Sequence, residues 1–273
     1  MNLTILGNGY TTKYLSEIAL KNKIKVTIVT RNIKVLNPQI KYVNFYDEKN
    51  VSNLLENQPL ISTIPPNQDG IDPVIKLYKN SIALNKHKIN YLSATSVYSD
   101  GTVYENTKPN PNHNRGKVRL NIEKTWLNTN KQTIIYRIAG IYGPNRNPII
   151  NYIEGKNEVI VKDGYISNRI HVEDLAEIIL EFIQTNHLDK IINISDQNLI
   201  SNIDAISYVS KKLNLPSPII IKYNSSEVSE IRKSFYETNR IVKSNVIGHH
   251  FKYTYKHPYY EKALLQLAKA IIS

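Results

Sequence analysis

Cysteine is absent from the 273 residues, so disulfide cross-links and thiolate chemistry are both excluded. That composition fits a reducing compartment. No apolar run approaches the length that a bilayer-crossing helix needs, and no basic-plus-apolar leader stands ahead of the first strand-like run at Leu3. A cytoplasmic protein without membrane attachment is the expectation. Acidic residues are in deficit: 23 Asp and Glu stand against 35 Lys and Arg, a net charge of +12. A basic chain suits anionic ligands, but its lysines are scattered, often beside Asn or Ile, and form no basic stripe interleaved with aromatics. Nucleic acid is therefore disfavoured as a partner, and the Asn, Ile and Lys content reads as a compositional bias. Internal repeats and low-complexity segments are also lacking.

What is present begins with the first dozen residues. Leu3-Thr4-Ile5-Leu6 is a short β-prone run, Gly7-Asn8-Gly9-Tyr10-Thr11-Thr12 follows at once, and Lys13 to Lys21 is helix-periodic. Strand, glycine turn and helix in this order open a dinucleotide-binding βαβ unit. Gly7 allows the tight bend, Gly9 lets a pyrophosphate approach the backbone, and the phosphate charge meets free N–H groups at the helix start. The third glycine of the pattern, which serves close helix–strand packing, is Thr12 here. The alternative for this stretch alone is an ordinary β-turn-α.

Lys25 to Thr30 reads as a second, fully buried parallel strand. An acid after such a strand hydrogen-bonds the adenosine ribose and selects NAD, whereas a base accommodates the 2′-phosphate of NADP. Thr30-Arg31 stands there with no acid beside it, which favours NADP over NAD. Ile40 to Phe45 is a third strand, and Asp47 after it either meets the adenine amino group or caps a helix starting near Val51. Leu60 to Ile64 is a fourth strand, stopped by Pro65-Pro66; Thr63, Ile64 and Pro65 at its end face the same crevice as the glycine turn. A helix from Pro73 to Lys86, a strand from Ile89 running into Ala94-Thr95-Ser96-Val97-Tyr98, a helix from about Lys117 to Asn128 and a strand from Thr133 to Arg137 complete the alternation. It predicts an α/β fold, a Rossmann-type doubly wound parallel sheet with a small C-terminal mixed α/β substrate lobe. With 41% hydrophobic residues the chain can bury a substantial core. The expected division is 1–140 plus 165–198 for the dinucleotide-binding core and 141–164 plus 199–273 for the lobe.

Four stretches in order resemble the extended short-chain dehydrogenase/reductase superfamily, in its NAD(P)-dependent epimerase/dehydratase-like branch. They are the glycine turn, Leu92 to Tyr98, Arg137-Ile138-Ala139-Gly140-Ile141-Tyr142-Gly143-Pro144, and Asn168 to Ala176. Ile192 to Asp196 is similar to a late strand of the family, and Ser234 to Tyr260 to its ending. The resemblance implies cofactor contacts from Ala94, Arg137 and Gly140 beside those already named, and substrate contacts from Tyr142 and Arg169.

The superfamily's chemistry uses a Ser or Thr hydroxyl, a Tyr as general acid/base and a Lys that lowers the Tyr pKa. Here the pattern departs. Ala94 falls at the hydroxyl position, with Thr95 next to it. Arg115 falls at the Tyr position and Arg119 at the Lys position. A guanidinium does not give up its proton in this range, so Arg115 cannot replace the phenol. Thr95, Ser96, Tyr98 and Arg119 are the remaining catalytic candidates. Arg115 and Arg119 share a helix face with Glu123; either Arg119 and Glu123 form a solvated ion pair, or both arginines meet a bound anion. His171 reads as a buried histidine bonded to backbone. His249, His250 and His257 form no metal pattern and are expected at the surface, with no metal site. The helix from Glu261 to Ile272 serves the core or a homodimer contact.

Three functions follow. The first is an NAD(P)(H)-binding oxidoreductase or epimerase-like enzyme for a nucleotide-sugar or other small polar substrate, with a degraded Ser/Tyr/Lys set. The second is a non-catalytic NADP-binding sensor, regulator or assembly factor. The third, a nucleic-acid-associated basic protein, ranks last.

Overall fold

A computed structural model describes residues 1–196, 198–234 and 236–272; position 235, inside the 234–260 stretch singled out above, lies outside them. The strands in chain order are β1 (Asn2–Leu6), β2 (Lys25–Thr30), β3 (Lys41–Asn44), β4 (Leu60–Ser62), β5 (Ile89–Ala94), β6 (Gly101–Val103), β7 (Thr133–Ile138), β8 (Gly140–Tyr142), β9 (Glu158–Val161), β10 (Arg169–His171), β11 (Ile191–Ile194), β12 (Ile219–Lys222) and β13 (Arg240–Val242). The helices are α1 (Tyr10–Lys21), α2 (Glu48–Asn57), α3 (Pro73–Leu84), α4 (Asn114–Thr129), α5 (Ile149–Ile153), α6 (Val172–Gln184), α7 (Asn202–Leu213), α8 (Glu230–Ser234) and α9 (Tyr260–Ile272). None of the described helices is long and apolar enough to cross a membrane.

The chain forms two compact units. The first comprises Met1–Val97, Pro109–Ile138 and Leu175–Ile192; the second comprises Tyr98–Lys108, Ala139–Asp174 and Asn193–Ser273. The main sheet runs β11–β7–β5–β4–β1–β2–β3, with β7, β5, β4, β1, β2 and β3 paired in parallel. This confirms the doubly wound α/β reading. Strand order reverses between β1 and β4, the place where such sheets leave a crevice at their carboxyl ends.

The first core lies where α2, α3 and α4 cover the sheet, built on Leu55, Val74, Ile82, Trp126, Tyr91 and Ile135. All six residues of β7 are buried, as a strand covered on both faces requires. Asp72 ties two helices together. One carboxylate oxygen caps α3 by accepting from the Val74 and Ile75 N–H groups, and the other accepts from Trp126 Nε1 at 2.8 Å in α4. Burial pushes the Asp72 carboxyl above its ordinary pKa. In the second unit, α5, α7 and α9 pack with β9 around Tyr152, Val209, Tyr260 and Leu264. Its strands form short parallel pairs: β8 with β10, β9 with β12, and β6 with β13.

Two helices start earlier than their hydrophobic periodicity announces. α1 begins at Tyr10, not Lys13, and α4 at Asn114, not Lys117. In α4 the first turn is polar, and His113 caps it by accepting from the Gly116 N–H. Gly116 is required there: a Cβ would lie 2.3 Å from the Ser96 carbonyl oxygen and 2.6 Å from Pro111.

Glu123 does not pair with Arg119. It is 1% exposed and accepts from Arg137 Nη2 at 2.7 Å and from Ser93 Oγ at 2.5 Å. The pair locks α4 onto β5 and β7. Removing one partner of a buried ion pair leaves the other charge uncompensated, so Glu123→Ala is expected to destabilise the first unit by about 3–5 kcal/mol. Trp126, the sole tryptophan, sits in α4 and reports urea unfolding by fluorescence; a loss below about 1 kcal/mol would remove the structural role assigned to the pair.

Candidate functional site

The site begins where β1 ends. Gly7 has φ +102°, a region only glycine enters without strain. A Cβ there would also lie 2.5 Å from Thr63 Oγ1 and 3.1 Å from Ile64 Cγ1. The turn is pinned to its neighbours by the Gly7 N–H bond to the Val29 carbonyl and the Thr63 N–H bond to the Leu6 carbonyl, both 2.9 Å. Gly9 differs: a Cβ on it would meet nothing within 4 Å. It is the N-cap of α1, no side chain caps the helix, and the first turn contains no acid. The start of α1 at Gly9, where the positive end of the helix dipole lies, therefore borders an opening without a competing carboxylate.

That opening is a cleft of about 760 Å³, within the range of small-molecule and cofactor sites. Gly7, Asn8 and Gly9 form one end. Thr30, Arg31, Asn32 and Lys34 follow β2 along one side. Thr63, Ile64, Pro65 and Pro66 follow β4 along the other, and Phe45 and Tyr46 come from the end of β3. No Asp or Glu lines it. Arg31 and Lys34 are exposed, so the lining carries two cations. Eight of the residues named from sequence thus come together. Lys34 and Tyr46 were missed, because a single Lys or Tyr in a polar loop carries no spacing signal.

Other candidates fall elsewhere. Tyr10 packs its ring on Tyr14 at 5.3 Å, and Thr11 and Thr12 are buried beneath the turn. Asp47 caps α2: its carboxylate accepts from the Asn50 N–H at 3.3 Å and Asn50 Nδ2 at 2.7 Å, and those bonds hold its pKa below the usual value. Capping is the role the structure gives it, and it is not among the cleft residues. Arg137 is corrected from a cofactor contact to half of the buried pair with Glu123. Ala94 is half-buried at the end of β5, and Thr95 and Ser96 are half-buried in the short 3₁₀ turn after it. Arg119 donates from Nη1 to the Tyr91 hydroxyl at 3.0 Å. Arg115 is exposed.

The remaining candidates belong to the second unit. Tyr98, considered as the substitute acid, is 1% exposed and its hydroxyl is held between Asn193 Oδ1 at 2.8 Å and the Tyr104 carbonyl at 3.0 Å. Its proton is engaged there, which corrects the catalytic assignment. Arg169 is 5% exposed; it donates to the Ser167 and Ile200 carbonyls and to Asn202 Oδ1, and stacks 3.9 Å from the Tyr260 ring centre. It braces the unit from within. Tyr142 is buried against His171 and Tyr260, and Gly140 donates its N–H to the Asn168 carbonyl.

No protein-family model matches the sequence, and no curated protein matches it. Solved structures do. A functionally unknown conserved protein from Silicibacter pomeroyi DSS is similar with TM-score 0.87 and 26% identity, over 99% of this chain and 98% of that one. The UDP-N-acetylglucosamine 4-epimerase of Bacillus cereus is similar with TM-score 0.75 and 16% identity over all of both chains. The human epimerase family protein SDR39U1, solved with NADPH, gives TM-score 0.72 and 14% identity over 98% of this chain and 99% of that one. The chain has the epimerase/dehydratase fold.

Within this epimerase/dehydratase fold the second unit gathers titratable groups that no sequence spacing announced. His171 accepts the Glu173 N–H at Nδ1, as a buried backbone-bonded histidine should. His257, expected at the surface, instead stacks on His171 with ring centres 3.6 Å apart and meets Glu173 Oε2 at 3.0 Å. Asp174 is close enough to both rings for one ion to touch all three. Its oxygens, however, already accept from the Tyr253 hydroxyl and from the Lys256 and His257 N–H groups. The cluster is accounted for as an anchor for the 253–257 segment.

Burial and the neighbouring His257 depress His171 from 6.5 to about 4. Burial raises Asp196 from 3.8 to about 7. A depressed histidine costs stability as pH falls through 6.5 towards 4, because only the unfolded chain takes the proton. A raised carboxyl contributes stability at low pH that is lost as pH rises through 7. Between about pH 4 and 6.5 the folded unit holds its proton on Asp196 and the unfolded chain holds it on His171, so the two effects cancel. Asp196→Asn is therefore expected to make the urea midpoint fall with acid over that window, and His171→Gln to make it rise. Circular dichroism at several pH values reads both; slopes identical to the parent protein would refute the assignment.

Proposed function

We propose that the cleft at the ends of β1, β2 and β4 binds NADP(H), and that the protein is an oxidoreductase or epimerase-like enzyme for a nucleotide-sugar or another small polar substrate. One observation carries the cofactor reading: an uncapped, acid-free helix start opens on a cleft lined by two cations and no carboxylate. The residues fit a dinucleotide. Gly9 leaves room for a pyrophosphate. Phe45, Tyr46, Ile64 and Pro65 offer apolar surface for a base. Arg31 and Lys34 suit a 2′-phosphate, which favours NADP over NAD. The name of the Bacillus cereus neighbour supports the nucleotide-sugar reading, and the NADPH in the human one supports a nicotinamide dinucleotide.

The cleft residues named above would hold the dinucleotide, and its nicotinamide would supply hydride-exchange chemistry. The chain's own share in this reading is orientation and charge. Thr95 and Ser96 would offer hydroxyls to a substrate oxygen. Arg119, steadied by the Tyr91 hydroxyl, would hold a developing negative charge without donating a proton. Burial raises the Tyr91 phenol well above its ordinary pKa, so that ring is a brace and not an acid.

A second reading is a non-catalytic NADP-binding sensor, regulator or assembly factor. The engaged hydroxyl of Tyr98 and the guanidinium of Arg115 at the usual Tyr position favour it.

Fluorescence titration with NADPH and NADH tests the cofactor. NADPH is expected to bind tighter, and Arg31→Ala to weaken it roughly tenfold while changing NADH by less than about twofold. Equal affinities would remove the role of Arg31, and absence of binding would remove the cofactor reading. Oxidation of bound NADPH on mixing with a panel of nucleotide-sugars separates the enzyme from the sensor.

A further inference from the structure

The third position of the glycine pattern carries the clearest unexplained feature. Thr12 is 0% exposed, and a buried hydroxyl without partners is costly. Its Oγ1 donates to the Gly7 carbonyl at 3.1 Å and lies 3.2 Å from Thr63 Oγ1. Thr63 Oγ1 in turn donates to the Leu6 carbonyl at 2.9 Å. It also occupies the space that a Cβ on Gly7 would fill. Two hydroxyls, one from α1 and one beyond β4, thus hold the two consecutive carbonyls that open the turn. Their two protons serve three oxygen–oxygen contacts, so the network is shared between the residues.

A trans peptide is planar, and its C=O and N–H point in opposite directions. The Gly7 carbonyl and the Asn8 N–H belong to one peptide. A hydroxyl that draws the carbonyl towards α1 sends the Asn8 N–H the other way, and Asn8 lines the cleft. In the usual pattern a third glycine lets helix and strand approach, and packing sets this orientation. Here a hydrogen bond does so.

We propose that Thr12 and Thr63 are positioning residues that aim the Asn8 N–H into the cleft, so that Thr12 replaces the third glycine by bonding to the turn instead of making room beside it. For ligand binding this rests on the dinucleotide reading above; for the geometry of the turn it stands alone. It leads to an inverted expectation: restoring the glycine of the pattern impairs the site.

The experiment compares Thr12→Gly, Thr12→Val and Thr12→Ser with the parent protein. Valine keeps the shape and β-branching of threonine and loses the hydroxyl; serine keeps the hydroxyl. NADPH is expected to bind about three- to tenfold more weakly to the Gly and Val variants, and within about twofold of the parent to the Ser variant. Amide hydrogen exchange on the ligand-free proteins is the second readout. Exchange at Gly7 and Thr63, whose N–H groups bond the Val29 and Leu6 carbonyls, is expected to accelerate in the Gly and Val variants and not in the Ser variant. Parent-like binding by Thr12→Gly, or a Ser variant as weak as the Val variant, overturns the proposal. Should the parent bind neither nucleotide, the cofactor reading falls and exchange alone decides: acceleration upholds the positioning role, and unchanged rates overturn it.

Discussion

The Gly7 carbonyl is held by a hydroxyl buried in the helix that follows it, and the geometry of the cleft descends from that contact. β1 and β4 pair side by side at the reversal of strand order, and the turn after Leu6 leaves the sheet at that point. Gly7 takes a conformation closed to other residues, with Thr63 packed where its side chain would be. The start of α1, the line taken by Asn8 and Gly9, and the free space above Gly9 all depend on the turn keeping one shape. The cations at the end of β2 matter only because that shape leaves them an uncontested opening.

The sheet was legible because buried parallel strands are apolar almost throughout and carry their own punctuation. Lys25 to Thr30 coincides with β2, and Pro65-Pro66 marks the region where β4 stops. The cleft was legible for a related reason: a turn closed to other residues leaves glycine in the sequence, and a basic residue after β2 stands at a defined place. The partners of buried polar groups were not legible. Glu123 is four residues from Arg119 along one helix, which suggests a pair, yet it turns inward to Arg137 on β7. Tyr98 finds Asn193, and His171 finds His257, across 95 and 86 positions of chain. Helical spacing describes neighbours on a surface, whereas these contacts are set by which strands meet. The short strand pairs of the second unit are three or four residues long, too brief for alternation to register.

Burial sorts the arginines into two kinds. Arg137 and Arg169 are nearly inaccessible and donate to the protein's own oxygens: Arg137 to Glu123, and Arg169 to the Ser167 carbonyl and Asn202. They stiffen the two units. Arg31 and Arg115 are exposed, and Arg119, half-buried, keeps one bond to a neutral phenol. A resemblance in sequence treats all of these as one residue type. The cost of desolvating a guanidinium separates them, since a buried one must be surrounded by acceptors before any ligand arrives.

The acid-free lining has a kinetic side. Exposed cations act through solvent over roughly a Debye length, about 8 Å at physiological ionic strength, and are damped by added salt. The N–H groups of a turn act only on contact. On the reading proposed above, an anion entering this cleft would be gathered by Arg31 and Lys34 and held on contact by them and by the backbone around Gly9. Salt then governs how fast it arrives far more than how long it stays. In that reading long-range attraction belongs to the two cations, whereas residence is shared between them and the turn, so loss of a cation would slow arrival without abolishing the backbone's hold.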